Sequence, residues 1–146
     1  QLYIREGRRM VSDYVMTEHN VLGRDVASDS VGLASYGMDS HHCRRLVVAG
    51  RVFNEGDIEI QVARPYPVSY RSMCPRQSEC ENLLVAWCVS ASHIAFGSIR
   101  MEPVGMVLGQ SAALAASLAV KHSCAVQDLN ITELQVLLQE YGQILY

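Results

Sequence analysis

An α+β fold is predicted by three features of the sequence. β-branched and alternating apolar stretches fill much of the first half, an unbroken apolar run occupies 82–89, and two helical patterns close the chain. Its 146 residues, 49% of them hydrophobic, are one domain's worth of chain with enough apolar material for a core. The strands are expected to be antiparallel or mixed, and the strand-to-helix unit after residue 81 to be of the α/β kind. The chain accordingly divides into a β-rich part, 1–81, and a second part, 82–146.

The elements follow in order. Met10, Val11, Tyr14, Val15 and Met16 fit a helix and a strand about equally, and a strand over Arg9–Met16 is favoured. Thr17–Val26 reads as a turn and a short helix. Leu46–Phe53 is apolar and β-branched, Ile58, Ile60 and Val62 alternate with polar residues, and Asn54-Glu55-Gly56-Asp57 lies between them. A β-hairpin over 45–63 is therefore predicted. Pro65–Met73 is a further strand, whose prolines favour an edge or a bend. Asn82–Val89 has the pattern of a strand buried on both faces, and Ser90–Glu102 follows as a loop.

Pro103 stands where a helix tolerates a missing N–H. The helix predicted over 103–121 carries small residues at Gly105, Gly109, Ala112, Ala113, Ala116 and Ala119, so its backbone can approach a sheet or a ligand closely. The pair Gly105 and Gly109 marks close packing. This segment lacks charge, but its Ala, Ser and Gly content, Gln110 and its length short of the ~20 residues of a bilayer span argue against a membrane helix. Asn130-Ile131-Thr132-Glu133 is a capping box. It opens a helix with Ile131, Leu134, Leu138 and Tyr141 on one face and Gly142 as its stop.

Composition narrows the function. Twelve basic residues against fifteen acidic give a net charge of −3 without any basic block, which argues against nucleic-acid binding. Every basic residue except Lys121 is arginine, which suits planar contacts to carboxylates or phosphates. Cys43, Cys74, Cys80, Cys88 and Cys124 are odd in number and lack CxxC spacing. Buried free thiols are expected, rather than a zinc site or a disulfide framework. The chain starts at Gln1 with neither a basic n-region nor an apolar signal core, and it reads as cut from a longer polypeptide; its compartment cannot be read.

GxGxxG, GxxxxGK and HExxH are absent. Gly109-Gln110-Ser111-Ala112-Ala113 lacks the second glycine of a nucleophile elbow and lies within a predicted helix. The strongest chemical signal is the strand–loop–helix unit at 82–121. The first N–H groups of its helix carry the positive end of the dipole and suit a phosphate, a carboxylate or the N1–C2=O2 edge of a reduced flavin. Arg100 would add a charge-assisted donor there, so its loss would cost function more than fold. The competing reading is a packing helix whose N–H groups meet water or Glu102.

Several strings resemble the C-terminal part of the FAD-dependent oxidoreductase family. They are Asn82–Val85 (NLLV), Ser90–Ala95 (SASHIA), Ser98–Pro103 (SIRMEP) and Leu108–Ala116 (LGQSAALAA). Upstream, Arg5-Glu6-Gly7-Arg8-Arg9-Met10, Tyr36-Gly37-Met38-Asp39-Ser40-His41 and Pro65-Tyr66-Pro67-Val68-Ser69-Tyr70-Arg71 resemble further elements of that family in the right order. Some relatives carry a polysaccharide-lyase label such as xanthan lyase, yet nothing in this sequence is suited to β-elimination. Ala113 departs from the glycine that many members have.

The resemblance implies a larger flavoprotein whose N-terminal portion holds the ADP part of FAD in a Rossmann-like domain. This chain would supply part of the substrate-side sheet in 1–81, then the last strand and helix of the FAD domain in 82–146. Ser90, Ala91, Ser92, Arg100, Met101, Glu102, Pro103 and Val104 would lie against the flavin ring. Tyr70, Arg71, His41 and His93 would face a small-molecule or carbohydrate substrate, with hydride passing from a substrate C–H to flavin N5. Alone, the chain would be inactive and would not hold FAD tightly.

Plainer roles stand beside these. His93 is a proton-handling or substrate-orienting residue, or a hydrogen-bonded structural one. His41 and His42 are expected to point to opposite sides. A buried Arg71 requires a partner, either a substrate carboxylate or Glu79 or Glu81. Arg5, Arg8 and Arg9 suit a structural ion-pair cluster. The rival to the whole redox reading is a non-catalytic module that binds a carbohydrate or a protein partner.

Overall fold

The computed structural model describes residues 7–146, so Arg5 and Glu6 lie outside it. It is a mixed α+β fold whose strands form antiparallel pairs. Strand β1 (Ser30–Ala34) pairs with β6 (Tyr66–Ser69), Ser30 opposite Ser69 and Ala34 opposite Tyr66. Val31, Ala34, Tyr66 and Val68 of this pair are almost wholly buried. Its cover is the long helix α3 (Glu102–His122), which buries Val104, Leu108, Ser111, Ala115, Leu118 and Ala119. By length and composition α3 would also pass as a membrane span, but this row of side chains is spent on the protein's own core.

Polar groups fix α3 over β1. The Ser111 hydroxyl donates to the Val31 carbonyl at 2.6 Å, and the Gln143 amide donates to the same carbonyl. Helix α4 (Ile131–Glu140) starts as its capping residues predict, the Asn130 side chain accepting from the Thr132 and Glu133 N–H groups. It buries Leu134 and Leu138 and ends where Gly142 turns to φ +81°. Gln135 donates from α4 to the Ser30 carbonyl at 3.1 Å, tying this end of the chain to β1. Helix α1 (Glu18–Val21) is the short helix expected after Thr17.

Three expectations need correction. The segment 82–89 is not a strand. It is irregular and partly exposed, held by a Val85 N–H bond to the Met73 carbonyl and by Trp87 packed on α3. Arg9–Met16 is likewise not a strand, although Met16 bridges Ala91 in parallel and the Met10 N–H reaches the Cys88 carbonyl. The loop expected over 90–102 contains helix α2 (His93–Ile99), capped by the Ser92 side chain, which accepts from the Ala95 N–H. Gly97 costs this helix about 1 kcal/mol of propensity. A Cβ there would run into the main chain of Asp39, so the glycine allows the close approach of α2 to β2 (Met38–Ser40).

The hairpin exists, but its turn lies elsewhere. Strands β3 (Arg44–Val48) and β4 (Arg51–Glu55) reverse at Ala49-Gly50, with φ of 50° and 74°. Positive φ at both central residues is the two-residue turn that matches strand twist. Asn54–Asp57 instead carries the chain on to β5 (Ile58–Ile60), which pairs with β2. The prolines of 65–73 do mark a bend: β6 gives way at Tyr70 to a 3-10 turn over Tyr70–Met73.

The cysteines are all free thiols, but only Cys74 is fully buried and Cys43 is exposed. Of the two glycines in α3, Gly105 packs as expected, since a Cβ would enter the Trp87 ring, whereas Gly109 faces open space.

Candidate functional site

The residues singled out in the sequence fall into four groups. The first surrounds Asp39 on β2. The Arg100 guanidinium, 2% exposed, donates from Nη2 to the Asp39 carboxylate at 3.0 Å and to its carbonyl at 3.3 Å. Its Nε donates to the Gly97 carbonyl at 3.2 Å. His41 stands 3.7 Å from the same carboxylate with its ring largely in solvent. The exposed His93, at the start of α2, is 3.1 Å through Nε2 from the buried Ser40 hydroxyl. His41, His93 and Arg100 are thus brought together by one short strand. His42 turns away and meets Asn54 and Asp57.

Beside this cluster lies the start of α3. Met101, Glu102, Pro103 and Val104 line one wall of a cavity of about 370 Å³, opposite Leu33–Tyr36. Such a volume is within the range of ligand sites. Met101 caps the helix without a side-chain bond, and the first helical bond runs from the Gly105 N–H to the Met101 carbonyl. Val104 is the third helical residue, so its N–H has no partner within the helix, and it belongs to the positive end of the dipole, the end that lines the cavity. One cavity-lining residue, Tyr36, is tied to α2 by its carbonyl, which accepts from Ser98; the Ser98 hydroxyl is also 2.6 Å from that of Tyr66. Burial drives the Tyr66 phenol far above its usual range, so it stays neutral.

Ser90, Ala91 and Ser92 are placed just before α2. Most of their main-chain groups are already engaged: Ser90 N–H with the Ser72 carbonyl, Ser92 N–H with the Met16 carbonyl, and the Ala91 carbonyl with Arg9 Nε at 3.1 Å. Arg9 also lies over the Phe96 ring, 5.7 Å from its centroid; Arg5, part of the expected ion-pair cluster, lies outside the described residues.

Tyr70 and Arg71 form the fourth group, at the other end of β1. The strand is five residues long, so its two ends are about 13 Å apart. Arg71 pairs with neither Glu79 nor Glu81. Its Nε is 3.0 Å from Asp29 Oδ2, and its guanidinium lies 4.2 Å from the Tyr14 ring centroid. Burial alone raises the Asp29 carboxyl, but hydrogen bonds from the Arg71 guanidinium, the Ser69 hydroxyl and the Arg71 N–H outweigh it and hold the group below its usual value. Asp29, Tyr14, Arg71, Gln127 and Thr132 line a second cavity of about 580 Å³. Tyr70 is buried there, its hydroxyl donating to the Val126 carbonyl at 2.8 Å.

Sequence reasoning missed Asp39, Ser40 and Asp29, the acceptors that organise these groups. Asp39 and Ser40 stood inside the matched string Tyr36–His41, so a signal was present. Asp29 lies in a polar stretch without any pattern.

Neither a curated protein nor a solved structure matches the chain. A family model, FAD dependent oxidoreductase, matches residues 1–138, nearly the whole length. The strings that resembled that family, and the cavity at the start of α3, therefore belong to a chain that is a member of the FAD-dependent oxidoreductase family.

Proposed function

We propose that this chain forms the ring-facing and substrate-facing portion of a flavin-dependent oxidoreductase. The observation that carries the reading is the cavity at the start of α3, walled by four residues, Met101–Val104, that the family resemblance assigns to the flavin. They fit one edge of a flat ring system: the walls are Leu33, Ala34, Pro103 and Val104, and the helix start presents an N–H without a side-chain cap. When bound, FAD supplies the two-electron acceptor, taking hydride at N5 from an as yet unidentified small-molecule or carbohydrate substrate.

The chain's own residues would then act as follows. The Val104 N–H and the α3 dipole favour negative charge at the cavity. Arg100 holds Asp39 and so positions β2 against α2; it serves the site by fixing that junction. His93, exposed and anchored by Ser40, and His41, beside Asp39, are placed to orient the substrate or to hand a proton to or from it. Ser90, Ala91 and Ser92 contribute mainly shape, because most of their main-chain groups are engaged. Arg71, with Tyr70 beneath it, offers its remaining N–H groups to the substrate side from the second cavity.

The ADP part would be held by an N-terminal portion of the same polypeptide, since GxGxxG is absent from these residues. The division at residue 81, C-terminal placement and a Rossmann-like partner domain belong to the same proposal. Family membership favours this redox reading over a non-catalytic binding module.

Ser35 stands exposed at the cavity's lip, so Ser35→Trp should fill it with little loss of fold. The full-length protein is expected to purify with flavin absorbance, and the variant to lose most of it while keeping its circular dichroism. Unchanged flavin content in the variant would place the ring elsewhere.

A further inference from the structure

The segment 38–60 is one long two-stranded arm. Its base, β2 with β5, is held by α2, whereas every residue of β4 is exposed and Leu46 alone of β3 is partly covered. Val47, Val48, Val52 and Phe53 are each more than half exposed. A two-stranded ribbon bare on both faces is marginal in water, and an apolar edge strand invites pairing. Among the described residues, β4 pairs with β3 alone.

The hairpin's register fixes what the free edge presents. Val48 and Arg51 flank a two-residue turn, so they form a hydrogen-bonded pair, and such pairs alternate. Arg51, Phe53 and Glu55 therefore turn their main-chain groups toward β3, while Val52 and Asn54 turn theirs outward. A second β4, antiparallel and centred on Phe53, would meet Val52 with Asn54 and exchange about four main-chain hydrogen bonds in all. The same register sets Phe53 against Phe53 and Arg51 against Glu55, twice. On that face Leu46 and Phe53 of each copy form one apolar row. It is flanked by rows in which Glu55 sits between its own Arg44, already 3.2 Å away, and the other copy's Arg51.

Alternative pairings lack this match. A parallel β4 pair sets Arg51 beside Arg51, and a β3 pair centred on Leu46 sets Arg44 and Arg45 against valines. We infer that two copies of this chain associate through β4 in an antiparallel, two-fold register centred on Phe53, making a four-stranded sheet across the dimer.

The test is sedimentation of the full-length protein with a charge swap. The wild type is expected to be dimeric at micromolar concentration. Glu55→Arg, which faces Arg51 of the other copy with a second arginine, should weaken dimerisation at least tenfold. Adding Arg51→Glu together with Arg44→Glu should restore it, since position 55 then meets a carboxylate both in its own copy and in the other. Circular dichroism checks that each variant keeps its fold, and Asn54→Pro, which removes an outward N–H, gives an independent loss of dimer. A monomeric wild type, a dimer indifferent to these changes, or a Glu55→Arg defect that the paired reversals at Arg51 and Arg44 fail to rescue would each overturn the inference.

Discussion

Replacing Arg100 by alanine should unfold this protein more readily before it does anything else. The side chain is 2% exposed and bridges the carboxylate and carbonyl of Asp39 to the carbonyl of Gly97, so it fastens β2 to α2 at the point where Gly97 brings them closest. Breaking a buried pair by removing one partner costs about 3–5 kcal/mol, largely because the remaining charge is stranded. Asp39 is 23% exposed, so water relieves part of that penalty, and about 2–4 kcal/mol is expected. For a chain of this size the midpoint of thermal unfolding should fall by roughly 6–12 °C. Thermal melts followed by circular dichroism measure it. Asp39→Ala in the Arg100→Ala background should recover part of the loss, because the Asp39 carboxylate is then no longer left without the guanidinium. The reasoning is refuted if Arg100→Ala melts within about 2 °C of wild type while flavin content falls. That outcome would make Arg100 a ligand-facing donor, as its place beside the helix start suggests from sequence alone.

Other perturbations test separate parts of the structure. Gly105→Val should cost about 1–3 kcal/mol, because the added carbons enter the Trp87 ring, and should shift the fluorescence of the single tryptophan; an unshifted spectrum with full stability would deny that contact. The lowered pKa of Asp29 means its ion pair stabilises the fold above the unfolded carboxylate value of about 3.9, and that contribution is lost as pH falls through the folded value. Asp29→Asn should therefore cost about 1–2 kcal/mol by urea unfolding at pH 7, discounted for the exposure of Arg71, with a smaller deficit at pH 3. An equal deficit at both pH values would contradict this. Burial pushes the Cys74 thiol up to about 11, so at pH 8 a thiol reagent should modify the exposed Cys43 quickly and Cys74 only on unfolding. Cys43→Ser should remove a fast-reacting thiol.

The helical end of the fold was legible because its signals are local. Pro103 and the Asn130 cap mark helix starts by local main-chain chemistry, although Glu133 meets His122 and Lys121 of α3 instead of closing the predicted capping box. The strands were less legible. Leu46–Phe53 reads as one apolar strand, yet the chain reverses within it at Ala49-Gly50, and alanine at positive φ carries no turn signature. The run 82–89 has a buried strand's composition but no ladder partner. Its apolar side chains are placed instead by Met73 and by the gap that Gly105 leaves for Trp87. Helix α2 was hidden by Gly97, whose reason is a contact with Asp39, 58 positions away in sequence.

The same division holds for the site. Met101–Val104 could be read as a unit because a helix start is local. That Arg100 is held by Asp39, and Arg71 by Asp29 at the far end of β1, depends on long-range pairing that spacing does not encode.

Amide hydrogen exchange on the full-length protein, stripped of flavin and then reloaded with FAD, tests the central claim most directly. Slowed exchange at Val104 and its neighbours in the first turn of α3 is the predicted result. Protection that leaves this turn untouched while FAD binds stoichiometrically would contradict the account.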